Sequence, residues 1–216
     1  MERLCSLRAY PHCGGAPRNA PGPVIPMIHL QNLSFGYTST LLFDGITCDL
    51  PDKCYCYGAN GSGKTTLLQI IAGILQPSSG EITRNHQTHW RTALFLDHSF
   101  LFDELTIQAH LDWMRSMYGD IQKTAQLFDI APYTTRRPAD MSAGEKQWCA
   151  LCLSFCMPCD MILLDEPARS LDDTKCAQLL EILRLFADDH DIIVTGHRAD
   201  HPFSQILSPV SLSDLR

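Results

Sequence analysis

The stretch GANGSGKT, residues 58–65, decides the fold of this chain. It follows a short apolar run, Cys54 to Tyr57, which is typical of a strand, and it opens a segment, Thr65 to Ile74, with the pattern of a helix. A glycine-rich loop between a strand and a helix is the context in which the phosphate-binding P-loop pattern is specific. The sequence therefore predicts a nucleotide-binding P-loop.

Each residue type in this loop has a chemical role beside a phosphate. Gly58, Gly61 and Gly63 let the backbone turn its N–H groups inward, and the dipole of the following helix favours an anion. We expect Lys64 to reach the terminal phosphates and the Thr65 hydroxyl to bind Mg²⁺. The remaining residues expected to contact the nucleotide are Ala59, Asn60, Ser62 and Thr66.

A second motif, MILLDEP at 161–167, places two carboxylates after a buried strand. We expect Asp165 to hold Mg²⁺ through water and Glu166 to polarise the water that attacks the γ-phosphate. The alternative, an acidic helix N-terminus, is disfavoured because a P-loop lies in the same chain. His197 follows the strand at 192–196, at the sheet edge where ligands bind in α/β folds; taken alone, such a histidine is more often an ordinary loop residue.

Between these motifs lies MSAGEKQ at 141–147, just before a predicted helix. Ser142 and the backbone of Gly144 offer a hydroxyl and an amide that suit a phosphate. The alternative makes Ser142 a helix N-cap with Glu145 in the capping-box position, and both interpretations can hold together.

Strand and helix patterns alternate along most of the chain, which predicts an α/β fold with a mainly parallel sheet. After Leu96 the apolar spacing changes to steps of 4, 3 and 4, which is typical of an amphipathic helix. The sequence therefore predicts a RecA-like core over 27–216 with a helical subdomain at about 97–140. The apolar positions of its two helices are Ile107, Leu111, Met114 and Tyr118, then Ile121, Ala125 and Phe128.

Residues 1–26 contain five prolines and three glycines, so we expect a segment without a fold of its own, or a mis-assigned start before Met27. The chain of 216 residues is 45% apolar and 19% charged, as in a globular domain. Its net charge of −7 argues against a nucleic-acid partner. The longest apolar stretch, Trp148 to Leu164, is interrupted by Pro158 and Asp160, so we expect no membrane span and a cytoplasmic protein.

Four of the ten cysteines form a cluster with C-x2-C-x3-C-x2-C spacing: Cys149, Cys152, Cys156 and Cys159. One interpretation is a zinc or iron–sulfur site. The other is a buried helix face, since offsets of 3, 7 and 10 align on a helix and free cysteine packs as a small apolar residue. A helix spreads such thiols along its axis, which favours the packing interpretation.

The order of these motifs resembles that of the ATP-binding subunits of ABC transporters, over essentially 27–200. The order is a P-loop, a helical insert, MSAGE, LLDEP followed by RSLDD at 169–173, and then His197. The resemblance implies a homodimer in which two subunits pair head to tail, with each ATP between one P-loop and the partner's signature sequence. It implies that Ser142, Ala143 and Gly144 close on the partner's ATP, with Asp172 in the adjoining D-loop. It also implies that Tyr37 stacks on adenine.

Three residues depart from the family pattern. Asp97 and His98 stand where such subunits usually carry a glutamine, Glu145 replaces the usual signature glutamine, and Leu153 replaces a frequent arginine. We still expect ATP hydrolysis, because Lys64, Asp165, Glu166 and His197 are all present.

Within the family, the chain resembles the ATP-binding subunit of haem export in cytochrome c maturation. The features that carry this resemblance are the compact length, LLFDGITCDL at 41–50, the LDH at 96–98, LTIQAHLDW at 105–113 and the SAG signature. The resemblance implies a peripheral subunit that works with an integral membrane transporter subunit at the cytoplasmic face of the inner membrane. Another small ABC exporter, or a soluble ABC ATPase switch, remains an alternative.

Overall fold

Strands and helices alternate in the computed structural model, which describes residues 27–85, 87–97 and 100–215. The strands are β1 Met27–Phe35, β2 Phe43–Pro51, β3 Lys53–Tyr57, β4 Ser79–Arg84, β5 Thr92–Phe95, β6 Met161–Leu164, β7 Asp191–Gly196 and β8 Ser208–Ser211. The α-helices are α1 Lys64–Ile71, α2 Ile107–Tyr118, α3 Gln122–Leu127, α4 Ala143–Phe155 and α5 Asp173–Phe186. Short 3-10 turns lie at Ala131–Tyr133, Pro138–Asp140, Pro202–Gln205 and Leu212–Leu215.

Five strands form a parallel sheet in the order β5-β6-β7-β3-β8. Their side chains alternate between two apolar cores, as in β3, where Tyr55 packs in one core and Cys54 and Cys56 pack in the other. Burial on both faces is what a parallel sheet requires. The predicted α/β class is therefore confirmed.

A second, antiparallel sheet has the order β2-β1-β4. The alternation of Ile28, Leu30, Leu33, Phe35 and Tyr37 predicts paired half-buried strands in this region, but the first four of these residues lie on the single strand β1 and Tyr37 lies beyond its end.

In β2 the buried residues are Phe43, Ile46 and Leu50; the spacing of 3 between Phe43 and Ile46 coincides with a register shift against β1, and Cys48, between Ile46 and Leu50, is only partly buried. In β4 no side chain is fully buried. An unbroken period-2 alternation, by which strands are recognised, is therefore absent from β2 as a whole and from β4.

The helix that follows the P-loop is shorter than predicted, since α1 ends at Ile71 rather than Ile74. The N–H of Gly73 donates to the carbonyl of Ile70, and the N–H of Ile74 donates to the carbonyl of Gln69. This pair of hydrogen bonds is the Schellman pattern, which terminates a helix.

In the described chain between β5 and β6, all regular structure is helical. Thr106 caps α2, which packs its buried residues Ile107, Leu111 and Met114 as predicted, whereas Tyr118 is 39% exposed. Both α2 and α3 contact α4. The boundaries 97–140 of a separate helical subdomain stay a prediction.

The cysteine cluster divides at the end of α4. Cys149 and Cys152 are buried on the helix, Cys156 is its C-cap, and Cys159 lies beyond it in the turn before β6. The prediction of one helix face is therefore correct for the first two thiols and wrong for Cys159, because the helix ends before Pro158. Burial raises the pKa of Cys149 to about 12. Among the described residues, no group of three or more histidine, cysteine or acidic side chains has the arrangement of a metal site.

Two predictions concern residues outside those described: the N-terminal segment 1–26 and the placement of His98. Among the described helices, none has the length and apolar character needed to cross a lipid bilayer.

Candidate nucleotide-binding site

The P-loop and the acidic motif meet at a cavity of about 540 Å³ at the carboxyl end of the parallel sheet. Its size is within the range of small-molecule sites. The cavity is lined by Tyr37, Leu42, Asn60, Gly61, Gly63, Lys64, Thr65, Thr66, Glu166, Arg169 and His197. Of these, only Leu42 and Arg169 were not predicted from the sequence.

The loop ends at Gly63, the N-cap residue of α1, whose φ of 95° lies in the left-handed region. A Cβ at this position would lie 2.7 Å from the Phe43 ring, so glycine is required both by conformation and by space. No described side chain caps α1. The N–H groups of its first turn are therefore available to an anion in the cavity.

Lys64 bends back over the loop from the first residue of α1. Its Nζ donates to the carbonyls of Gly58 and Ala59, at 2.9 and 3.1 Å, and lies 3.4 Å from Oε1 of Glu166. The side chain is only 5% exposed, so its positive charge is fixed at the cavity wall. A fixed cation beside helix N–H groups suits a polyphosphate.

Two oxygen groups suited to Mg²⁺ come together from positions 100 residues apart. The Thr65 hydroxyl donates to Oδ2 of Asp165 at 2.5 Å, and the Thr195 hydroxyl donates to Oδ1 at 2.5 Å. Hydroxyl and carboxylate oxygens are the ligands that Mg²⁺ prefers, and it usually keeps several waters and phosphate oxygens besides. The donor set therefore fits Mg²⁺, with Thr65 and Asp165 as the residues that could hold it.

Glu166 adopts an unusual backbone conformation, with φ of 46°. Such a residue costs on the order of 1 kcal/mol and is found where the surroundings impose it. Here its N–H donates to the Thr195 hydroxyl at 3.0 Å, while its Oε2 lies 2.7 Å from Nε2 of His197. The carboxylate is thus held between His197 and Lys64, facing the cavity, where it can polarise a water molecule.

Thr195 is a further residue of the site, which none of the sequence motifs indicates. Its buried hydroxyl accepts from the Glu166 N–H and donates to Asp165, so one side chain orients both acidic residues. One feature of the sequence could have identified Thr195: it is a hydroxyl residue near the carboxyl end of the apolar strand 192–196. A polar side chain buried at that position needs hydrogen-bond partners, and the site at the sheet edge can provide them.

Tyr37 stands at the rim of the cavity, with its side chain 65% exposed. Its hydroxyl is 3.0 Å from Oγ1 of Thr66, and its ring packs edge-on against Phe35 with centroids 5.0 Å apart. An exposed ring held in this way can stack on a base.

Ser142 and Gly144 do not line the cavity of their own chain. Ser142 is the N-cap of α4 and forms a complete capping box with Glu145, as the alternative interpretation predicted. Arg136 binds both oxygens of Glu145, at 2.6 and 3.2 Å, and this contact lowers the pKa of Glu145 to about 2. The ion pair between Arg136 and Glu145 thus stabilises the segment before α4, and no sequence pattern predicts it.

Gln147 connects α4 with the acidic motif. Its side-chain amide donates to the carbonyl of Pro167 at 2.6 Å, and only 6% of the residue is exposed. The signature segment and the loop after Glu166 are therefore held against each other within one chain.

Comparison with known proteins agrees with this geometry. The family model described as "ABC transporter" matches residues 48–169, which is more than half of the chain. The matched range includes the P-loop, the signature segment and the acidic motif.

Three curated relatives carry different names. The thiamine import ATP-binding protein ThiQ of Vibrio cholerae is 32% identical over 66% of this chain and 68% of that protein. The cytochrome c biogenesis ATP-binding export protein CcmA of Saccharophagus degradans is 27% identical over 87% of this chain and 90% of that protein. The molybdenum import ATP-binding protein ModC of Mesorhizobium japonicum is 29% identical over 63% of this chain, but the match spans only 42% of that protein.

Among solved structures, the "Structure of ATP binding subunit of ABC transporter" superposes with a TM-score of 0.73 at 23% identity, covering 86% of this chain and 85% of that one. This likeness supports the fold. Taken with the family match and the site geometry, it leads to one conclusion: the chain belongs to the ABC transporter family and has the fold of its ATP-binding subunits.

Proposed function

We propose that this chain hydrolyses ATP with Mg²⁺ and supplies the energy for a membrane transporter. The observation that carries the proposal is the position of Glu166, whose carboxylate lies 2.7 Å from His197 and 3.4 Å from Lys64 at the wall of one cavity. A carboxylate between two cationic or hydrogen-bonding groups, beside a P-loop, is suited to phosphoryl transfer to water.

In the proposed reaction each residue of the site has a distinct role. The loop amides and Lys64 bind and orient the phosphates, and Tyr37 holds the base. Thr65 and Asp165 would hold Mg²⁺, which would neutralise phosphate charge when bound. Glu166 accepts the proton of the attacking water, and His197 stabilises the γ-phosphate. Most of the catalysis comes from fixed charges rather than covalent steps.

We further propose a homodimer in which Ser142 and Gly144 act on the partner's ATP. Support comes from their position, since both lie at the N-terminus of α4, outside the cavity of their own chain. A helix N-terminus with a serine hydroxyl can face an anion brought by another subunit.

A membrane partner is supported by an exposed apolar group on and before α2, formed by Phe102, Leu105, Trp113 and Met117. The ring centroids of Phe102 and Trp113 lie 6.5 Å apart, and Met117 lies one helical turn after Trp113. The Leu105 N–H donates to the Phe102 carbonyl. Each of these four residues is between 45% and 60% exposed. Large apolar side chains that cluster at the surface mark interaction sites. We place the protein at the cytoplasmic face of the inner membrane, bound to an integral transporter subunit through this apolar group.

For the cargo we propose haem export in cytochrome c maturation. Support comes from the relative named CcmA, whose match covers 87% of this chain and 90% of that protein. Thiamine import is the second candidate, because the relative named ThiQ has the higher identity, 32% over a shorter match.

We predict that Glu166→Gln binds ATP but lowers kcat by roughly 10²–10⁴, because the amide cannot accept the proton of the attacking water. Phosphate release and binding of a fluorescent ATP analogue measure the two effects. Glu81→Gln, at an exposed carboxylate of β4 outside the cavity, is the control and should match the wild type. Normal turnover in Glu166→Gln would disprove its role.

We predict that Ser142→Asp prevents ATP-dependent dimerisation in a Glu166→Gln background, where ATP persists. Aspartate still caps α4, so the helix is kept, but its charge repels the partner's phosphates. Ser142→Asn, an uncharged cap, is the matched control and should dimerise. Sedimentation velocity with ATP and Mg²⁺ measures this, and dimers of equal stability in both variants would contradict the assignment.

We predict that deletion of the gene abolishes covalent haem in c-type cytochromes, and that wild type but not Lys64→Ala restores it. Haem staining of separated proteins measures the outcome. Normal cytochromes together with lost thiamine uptake would instead favour the second candidate. Normal cytochromes and normal thiamine uptake would exclude both cargoes.

A further inference from the structure

Tyr55 is a fully buried tyrosine in the middle of β3, three residues before the P-loop begins at Gly58. It lies outside the cavity and takes no part in the reaction described above. A buried hydroxyl on a core ring needs a hydrogen-bond partner. The identity of that partner gives Tyr55 a second role besides packing.

The Tyr55 hydroxyl donates to the carbonyl of Arg198 at 2.9 Å. Burial raises the pKa of Tyr55 to about 12, so the hydroxyl keeps its proton and remains a donor at neutral pH. Arg198 directly follows His197 in the chain. Its backbone is therefore tied to β3 across 143 residues of sequence.

The residue before His197 contacts the same tyrosine. A Cβ on Gly196 would lie 2.1 Å from the Tyr55 hydroxyl and 2.8 Å from its ring, closer than any real contact. Only glycine fits at position 196 while the tyrosine is present. The chain thus wraps around the end of the Tyr55 side chain at residues 196 and 198, on both sides of His197.

The ring of Tyr55 is itself held in place. It packs against Phe203 and His201, with centroids 6.1 and 5.8 Å away, on the segment that follows the histidine. His197, by contrast, has a side chain that is 46% exposed. Packing around its own ring is therefore limited, and the position of its backbone largely decides whether Nε2 reaches Glu166.

We propose that Tyr55 is a positioning residue for the hydrolytic reaction, which sets the distance between His197 and Glu166 by holding the backbone on both sides of the histidine. It acts through His197 and touches no substrate. This inference rests on the proposed ATPase function. It extends that function to a residue on β3, the strand that directly precedes the P-loop.

The test is a double-mutant cycle on steady-state ATP hydrolysis. We expect Tyr55→Phe, which keeps the ring but removes the donor, to lower kcat about three- to tenfold with an unchanged KM for ATP. In a His197→Ala background the same change should have no further effect, because the residue through which it acts is gone. An equal fall in both backgrounds, or an unchanged kcat, would overturn the proposal.

Tyr57→Phe is the matched control. Tyr57 lies on the same strand and stacks on Tyr55 with centroids 6.3 Å apart, and its hydroxyl has no hydrogen bond among the described residues. We expect wild-type kinetics from it. A loss of kcat equal to that of Tyr55→Phe would indicate a general effect of loosening β3 and would contradict the positioning role.

A second measurement separates this inference from the proposed function. We expect the imidazole ¹⁵N resonances of His197 to shift in Tyr55→Phe and to stay unchanged in Tyr57→Phe, in protein without nucleotide. A wild type without ATPase activity would disprove the proposed function, and these resonances would still decide the role of Tyr55. Unchanged His197 resonances in Tyr55→Phe would disprove that role.

Discussion

The parallel pairing of β3, β7 and β6 is the constraint on which the rest of the site depends. Leu164 pairs with Val194, and Tyr57 pairs with Gly196, so the three strands end at nearly the same level. Parallel strands bring their carboxyl ends to one edge. The P-loop, the acidic pair and the histidine each follow one of these strands directly, and their side chains therefore meet although they are far apart in sequence.

The second constraint is electrostatic. Two carboxylates and a nearly buried lysine share a small volume, and each is held by a specific partner: Asp165 by two hydroxyls, Lys64 by loop carbonyls, Glu166 by His197. Buried charges are tolerated only when they are paired or hydrogen-bonded in this way. The same partners fix the direction of each charge, which is the preorganisation that phosphoryl transfer requires.

The sequence predicted the parallel core and most of the cavity wall because those signals are local. Glycines and a lysine in the loop, four apolar residues before Asp165, and the helical spacing after Ile107 can each be read within a few residues. Strands β2 and β4 were missed because bulges and partial burial remove the alternation on which such predictions rely.

Contacts between side chains of distant elements also could not be predicted from the sequence. Thr195 contacts Asp165, which lies 30 positions away in sequence, and Arg136 contacts Glu145, nine positions away. Threonine and arginine occur in too many environments for either residue to indicate its partner from the sequence. The end of α4 at Phe155, before Pro158, separates Cys159 from the thiols on the helix. These features follow from packing of whole elements rather than from any short pattern.

The most direct test of the central claim, that this edge of the sheet is an ATP and Mg²⁺ site, is a crystal structure with a non-hydrolysable ATP analogue and Mn²⁺ in place of Mg²⁺. We predict an anomalous Mn²⁺ peak beside the Thr65 hydroxyl and the Asp165 carboxylate, with the terminal phosphate between Lys64 and His197. A metal ion elsewhere, or phosphates bound outside the loop at 58–65, would contradict the claim.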